Sequence, residues 1–590
     1  MPIYDDPDLD KAFTYDGVTS FNRVSSYARV STIEPDAMAG AVNMSLDESG
    51  AVTRRGIADA GVPSAGNPIK AFGYLDTAVL QRVLAISNAQ AFSYDGTTWS
   101  GALGGYTVPT ATQSVRIAAL VDKLFLATAG SDLYSWDGTT FTNLGVGATH
   151  TSVSIVGDGT TTTVQCTAHG YSTGDFINLE GAVPDGFNGT WGIIVVDADH
   201  FTYLNPTNAT ATTQGTIMRG NRANKYSILI SHTNRLFGAG LPDVKDKLEA
   251  SDILDGTNWQ ALEDSLRVGG GESDPITALC SWTDFNLVVG KRNSIWLINA
   301  DPSQPESSWD MKRIVPEIGC VVHESMCQVG NDIFWLSREG VRSLEYTLQG
   351  LTQGVVPVPI SRPIQDVIDR INWSAVDTAR ARFWNGLYIL SVPLDTAMQP
   401  DTVLVFNTLT SGWMGTWTGW AATAFISTFF GDEKRLLIGR SDGRAAVWQD
   451  YISEQNETSA AFQDFGGDYS SYGDTRGMNC QESVSPKQGF SGEVEFWKSV
   501  ATATVQVRLD GGDWQPFWEG ESQGGTGSVI GDALPYTLNV RTFWRIARDL
   551  IGFGSWREIQ FRVMASAGGK IRLRSVYLAA RLEKFISEAN

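Results

Sequence analysis

The chain is poor in the residues that build metal sites and disulfide frameworks. Its 590 residues include five histidines and five cysteines. The cysteines (Cys166, Cys280, Cys320, Cys327 and Cys480) are odd in number, scattered and free of any CxxC pair. That pattern excludes a disulfide framework and a zinc site of familiar spacing, and it suits a reducing compartment. The histidines, at positions 150, 169, 200, 232 and 323, are equally dispersed. "HESMC", His323 to Cys327, lacks the second histidine that a HExxH helix needs to hold zinc. Basic charge is scarce too: 44 Lys and Arg stand against 65 Asp and Glu, a formal charge of −21. Such a balance opposes sequence-neutral nucleic-acid binding, in which cations displace phosphate counterions. The uncharged stretch Trp413 to Phe430 is broken by Gly, Thr and Ser. It reads as packed strands, not as a membrane span. The opening "MPIYDDPDLDKAF" has no apolar h-region, so no secretory signal is expected. Long runs of helix formers are also rare.

What is abundant is turn chemistry. Gly occurs 61 times, hydrophobic residues make up 42% of the chain, and there are 19 Trp. Sizeable cores are available, and the length points to two to four domains. One phrase recurs. "SYDGTTW" (Ser93 to Trp99) returns 42 positions later as "SWDGTTF" (Ser135 to Phe141), and more loosely as "ILDGTNW" (Ile253 to Trp259). Each copy follows short apolar strands and turns at an Asp-Gly pair: Asp95-Gly96, Asp137-Gly138 and Asp255-Gly256. Gly there takes positive φ freely and Asp can bond the backbone ahead, while Trp99, Phe141 and Trp259 begin the next strand and cover the end of the sheet. A 42-residue period with about four strands per period predicts β-propeller blades, and these nine residues are their structural turns.

Asp137 and Asp255 are 118 residues apart, 76 more than one period. The excess matches a Thr-, Gly- and Asn-rich tract read as an inserted small β-domain, with strands near Val153–Ile155, Phe176–Leu179 and Ile193–Val196. Blade-like phrasing resumes at 276–299, 327–346, 380–413 and 425–450. With units near 70–101, 113–147 and 224–262 the count is about seven, and six to eight are compatible with the pattern. One helix is expected, Arg362 to Ile371. A polar linker follows, and period-two alternation at Val494 and Phe496, Val505 to Leu509, Ile559 to Val563, and Ile571 and Leu573 predicts a β-sandwich. The expected organisation is therefore all-β: an extended arm (1–66), a propeller in two parts (67–147 and 223–452), the inserted domain (148–222), a linker (453–476) and a C-terminal sandwich (477–590).

No catalytic constellation emerges, so no enzyme activity, metal or cofactor is expected. "SYDGTTW" is one residue short of the Ser-x-Asp-x-Gly-x-Thr-Trp turn of sialidases, itself remote from catalysis. "VGGGES" (268–273) lacks the Lys and Ser/Thr of a phosphate-binding loop, and no carboxylate pair can be nominated for glycosidic cleavage. Charge is unevenly spread. From Arg541 to Lys584 ten Lys and Arg face three Asp and Glu, a local +7, leaving about −28 elsewhere. Arg541, Arg545, Arg548, Arg572 and Arg574 are the candidates for docking against an acidic neighbour; the alternative is a solvated strand face.

Two stretches resemble a known family. "FWRIARDLIGFGSWREIQFRV" (543–563), followed by "KIRLRSVYLAARLE", is similar to the C-terminal signature of tail nozzle or hub proteins of short-tailed bacteriophages, the tail tubular and packaged-DNA stabilisation proteins. Trp544, Arg545, Arg548, Ile551, Gly552 and Phe553 match it, whereas Ala547 and Asp549 depart from it. "GAVNMSLDESGAVTRRGI" (40–57) is similar to the family's opening, and the inserted tract resembles a small β-domain of phage tail proteins. The resemblance implies a homohexameric virion tube, assembled in the host cytoplasm, below the portal and its adaptor ring. Such a tube passes double-stranded DNA without tight binding, is closed before infection, and carries fibres, spikes or a needle. The rival expectation is a propeller enzyme or lectin acting on glycans.

Overall fold

Short apolar alternations separated by Asp-Gly, Asn-Gly and Gly-rich turns make this chain strands almost throughout. The computed structural model describes residues 13–582 apart from 48–49, 107–113, 146–149, 221, 260–264, 355, 431–432, 453–457, 481–485, 498–501, 522–542 and 567–568. The fold is all-β and of the propeller type, and the chain divides into two compact units, residues 70–331 and residues 1–69 with 332–590.

In the unit spanning 70–331, antiparallel meanders follow one another as blades. Ile69–Asp76, Gln81–Ser87 and Gln90–Tyr94 form a three-stranded sheet, Val115–Leu120 to Phe141–Asn143 a four-stranded one. Two further four-stranded sheets run from Ile228–His232 to Ser265–Arg267 and from Ile276–Ser281 to Met311–Val315. Neighbouring blades share cores: Phe237, Leu248 and Val268 pack with Leu279, Val289 and Ile298 in one cluster. Between the second and third of these blades lies an eight-stranded sheet of its own, from His150–Thr151 to Thr216–Arg219. Its core of Ile155, Val164, Ile177, Phe187, Ile193, Phe201 and Ile217 is a separate cluster. Its ends meet, since His150 pairs with Ile217 and Thr151 with Thr216.

The other unit continues the pattern. It contains the hairpin Asp332–Ser337/Gly340–Ser343 and a four-stranded blade in which Ala422–Phe430, Glu433–Arg440 and Ala445–Trp448 are completed by Ile57–Asp59 from near the start of the chain. The described residues thus show six small separate sheets of the blade type. A seventh meander, Arg380–Trp384 to Gly412–Thr418, does not stand alone. It runs on through Ala37–Val42 into a ten-stranded sheet with Ser471–Thr475, Ile559–Ser566, Thr502–Leu509 and Gln515–Glu521. A seven-stranded sheet centred on Lys487–Trp497 and Arg572–Leu582 faces it. A Cβ added to Gly492 of one sheet would lie 3.0 Å from Phe561 and 3.2 Å from Phe517 of the other, so the two backbones close tightly over a shared aromatic core.

Within the segment 1–66, read from the sequence as an arm, the described strands are built into these sheets. Phe13–Val18 pairs with Arg572–Leu582, Met44–Asp47 pairs with Gly50–Thr53, and the latter with Arg572 and Leu573. The tract read as a linker carries the strand Ser471–Thr475, clasped between Ala37–Val42 and Ile559–Ser566. Arg54 ties this region together. Fully buried, it donates to Asn43, to the carbonyls of Arg55 and Thr418, and to both oxygens of Asp464. Its guanidinium lies 3.9 Å from the Tyr469 ring centroid, a stacking that only a planar cation can make.

Helix is slight, and only part of it lies where the sequence pattern put it. The expected helix at Arg362 to Ile371 contracts to a 3-10 turn, Arg362–Ile364, and one α-turn, Gln365–Ile368. The longest described helix is instead Leu344–Thr352, whose N-terminus Ser343 caps by accepting from the Tyr346 N–H at 3.2 Å.

Candidate functional site

The three repeated turns have one local design. In the first, Asp95 Oδ1 accepts from the N–H groups of Thr97 and Thr98, both at 2.8 Å, and from the Thr97 hydroxyl at 2.7 Å. The second copies these distances at Asp137 with Thr139 and Thr140. In the third, Asp255 accepts from the N–H and hydroxyl of Thr257, and Asn258 reaches back to Asp252 in place of a second threonine. These donors hold the Asp95 carboxyl well below the usual range, led by the Thr98 N–H. Partial burial works against ionisation at Asp137, yet its threonine donors outweigh it and that carboxyl is also depressed. Ionised at neutral pH and engaged by their own turns, Asp95 and Asp137 are set up as structural acceptors, not as proton donors.

The aromatic partner closes each turn. Trp99 stacks on Tyr94 at 4.8 Å, Phe141 on Trp136 at 5.9 Å, and Trp259 packs on Tyr226 at 4.7 Å while donating its indole N–H to the Gly256 carbonyl. The glycines answer two different demands. Gly96 and Gly138 sit at φ +98° and +99°, where a side chain is strained. Gly256 is not among the positive-φ residues; there a Cβ would come within 2.6 Å of Phe125 and of Leu236. Phe125 belongs to the preceding blade, as do Leu75 and Leu80, which a Cβ on Gly138 would strike. At its second and third copies the repeated phrase thus forms the seat of one blade on the one before it.

Four of the candidate docking arginines lie on the seven-stranded sheet. Arg541 lies outside the described residues. Arg545 and Arg548 are on Phe543–Asp549, which pairs only with Lys487–Trp497 among the described strands, with Arg545 in register with Glu495 and Arg548 with Gly492. Arg548 is exposed; Arg572 and Arg574 are partly buried. Arg574 comes to 3.5 Å from Glu495, whose carboxylate also accepts from the Ser575 hydroxyl at 2.7 Å. Part of the basic charge counted from the sequence is therefore met within its own sheet.

The same sheet carries a feature that sequence reading did not pick out. Ser491, Glu493 and Glu495 stand opposite Ala579, Tyr577 and Ser575, and Ala579 stands opposite Tyr15 on the next strand. Period-two alternation puts all of these on the face away from the buried Val494, Phe496, Val576 and Leu578. Small residues form the floor, with tyrosines and glutamates around it, enclosing about 350 Å³. The signal in the sequence is faint because the lining comes from three distant segments.

Among the described residues, no cluster of His, Cys, Asp or Glu could hold a metal ion, and no helix is long and apolar enough to cross a membrane. Comparison of the sequence with protein-family models and with curated proteins gives no match.

Proposed function

We propose that this chain is a structural subunit of a short-tailed phage tail, a nozzle or hub whose copies form a homohexameric conduit for DNA ejection. In this reading the ring lies below the portal and adaptor, holds the channel closed before infection, and anchors fibres, spikes or a needle. The observation that carries the proposal joins sequence and fold. The two stretches with family resemblance, 40–57 and 543–583, lie more than half the chain apart. Yet Gly50–Thr53, Phe543–Asp549 and Arg572–Leu582 share one sheet, and Ala37–Val42 and Ile559–Ser566 share the one that faces it. The acidic balance of −21 supports a duct through which DNA slides without being held. The propeller-type blades supply rigid wall material whose strands are paired within small sheets.

Negative-stain microscopy of the purified chain tests this directly. A six-fold ring with a central channel is expected. A monomer with no ring at any concentration, or release of sugars from host capsule or lipopolysaccharide, would move the chain to the rival class of glycan-active propellers.

A further inference from the structure

We propose that the outer face of the seven-stranded sheet binds a neutral oligosaccharide, a role beyond that of a conduit. The concavity described above is lined by Tyr15, Ser491, Glu493, Glu495, Tyr577, Leu578 and Ala579 and measures about 350 Å³, near the lower end of ligand-site volumes. Its chemistry narrows the ligand. Among the described residues no Lys or Arg lines it, which argues against phosphate, sulfate or nucleic acid. Two glutamates and a serine stand among its lining residues, which argues against a lipid chain. Two aromatic rings with exposed surface, Tyr15 at 72% and Tyr577 at 38%, offer flat apolar platforms, and the Glu493 carboxylate and Ser491 hydroxyl offer hydrogen-bond acceptors beside them. Pyranose rings present this pair of surfaces, with C–H faces for stacking and hydroxyl edges that donate to carboxylates.

A cationic peptide is the competing occupant, and the charges decide against it. Glu495 already faces Arg574 at 3.5 Å and the Ser575 hydroxyl at 2.7 Å, so its carboxylate is largely compensated before any ligand arrives. The tyrosine platform is also preformed. A Cβ on Gly17 would lie 3.0 Å from the Tyr577 ring, so glycine there lets that ring lie across the neighbouring strand. Ala579 and Ser491, in register with one another, keep the floor low enough for a sugar ring to sit between the two tyrosines.

The test is titration calorimetry of the full chain against neutral tetrasaccharides of glucose, galactose, mannose and N-acetylglucosamine, with tetralysine as the cationic probe. Millimolar or tighter binding of at least one tetrasaccharide is expected. Tyr15→Ala and Tyr577→Ala should each weaken it by about tenfold, with Glu493→Gln weakening it less. Tyr15 is exposed, so its variant is expected to melt with the parent and keeps the test independent of folding. Binding of tetralysine without any sugar, no sugar binding at all, or sugar binding unchanged in both tyrosine variants would overturn the proposal. A ring-forming protein that fails this test would lose the glycan site and keep the conduit.

Discussion

The guanidinium of Arg54 is held by both oxygens of the Asp464 carboxylate, at 3.0 and 2.6 Å, across 410 residues of sequence. Arg54 has no exposed surface and Asp464 little, and Asp464 also accepts the Ile57 N–H at 3.1 Å. Removing one partner of such a pair leaves a charge stranded in the interior. Asp464→Ala should therefore destabilise this unit by about 3–5 kcal/mol. Arg54→Lys should cost less but still lower the denaturant midpoint, since lysine loses the fork and the stack on Tyr469. Unchanged midpoints in urea for both would show that the clamp contributes nothing.

The inserted domain should be separable. Its first and last strands pair, so its ends already lie side by side, and its core is its own. A short Gly-Ser bridge replacing 148–222 should leave a folded protein, and the isolated segment should melt cooperatively. Circular dichroism on both pieces checks this. Aggregation of the first together with a flat melting profile of the second would contradict it.

The repeated turns predict an acid signature. Asp137 is depressed in the folded state, so the stability it contributes is fully present above the unfolded aspartate value near 4 and lost as pH falls toward the folded one. Asp137→Asn should lower stability at neutral pH by about 1 kcal/mol, the low end for charge-assisted bonds at an exposed turn. The gap from the parent should narrow as pH drops below about 4. A gap that is constant with pH would show that the charge is irrelevant.

Two thiols should be inert. Burial pushes Cys280 and Cys320 up to about 12 each, and both lie inside the blade core. At pH 8 the thiolate fraction is negligible, so alkylation mapped by mass spectrometry should leave both unmodified until the protein unfolds. Rapid modification of either in the native state would contradict the packing.

The basic strands call for a discriminating pair of variants. Arg574→Glu would set like charges at Glu495 and should lower the melting temperature. Arg548→Glu, on an exposed strand, should leave folding intact and weaken ring or adaptor association in a salt-sensitive way. Ring assembly unaffected by Arg548→Glu at low salt would leave this residue as solvated surface.

Local signals carried much of the fold. Asp95, Asp137 and Asp255 could be read as turns because the bonds that fix them span two or three residues. The insertion showed itself as a break in a 42-residue period. What could not be read was pairing over distance. Nothing in "AVTRRGI" distinguishes the buried Arg54 from its neighbour, because its partners Asp464, Thr418 and Tyr469 are supplied from elsewhere in the chain. The helix Leu344–Thr352 was missed although "SLEYTL" offers a serine cap and an early glutamate; it follows directly on the strand Gly340–Ser343, and the blade pattern masked it. The groove is a sharper case, since Tyr15, Glu493 and Tyr577 become neighbours only through strand register.

The strand Ile57–Asp59 completes a blade whose other strands end at Trp448. On the ribosome it is made early and must wait while about 390 residues follow, on the order of 20 to 80 seconds at ordinary elongation rates. Throughout that interval its backbone donors and acceptors lack their final partners. The nascent chain thus carries an unpaired strand for most of its synthesis, and its yield should depend on how well the host shields that strand until the last blade arrives.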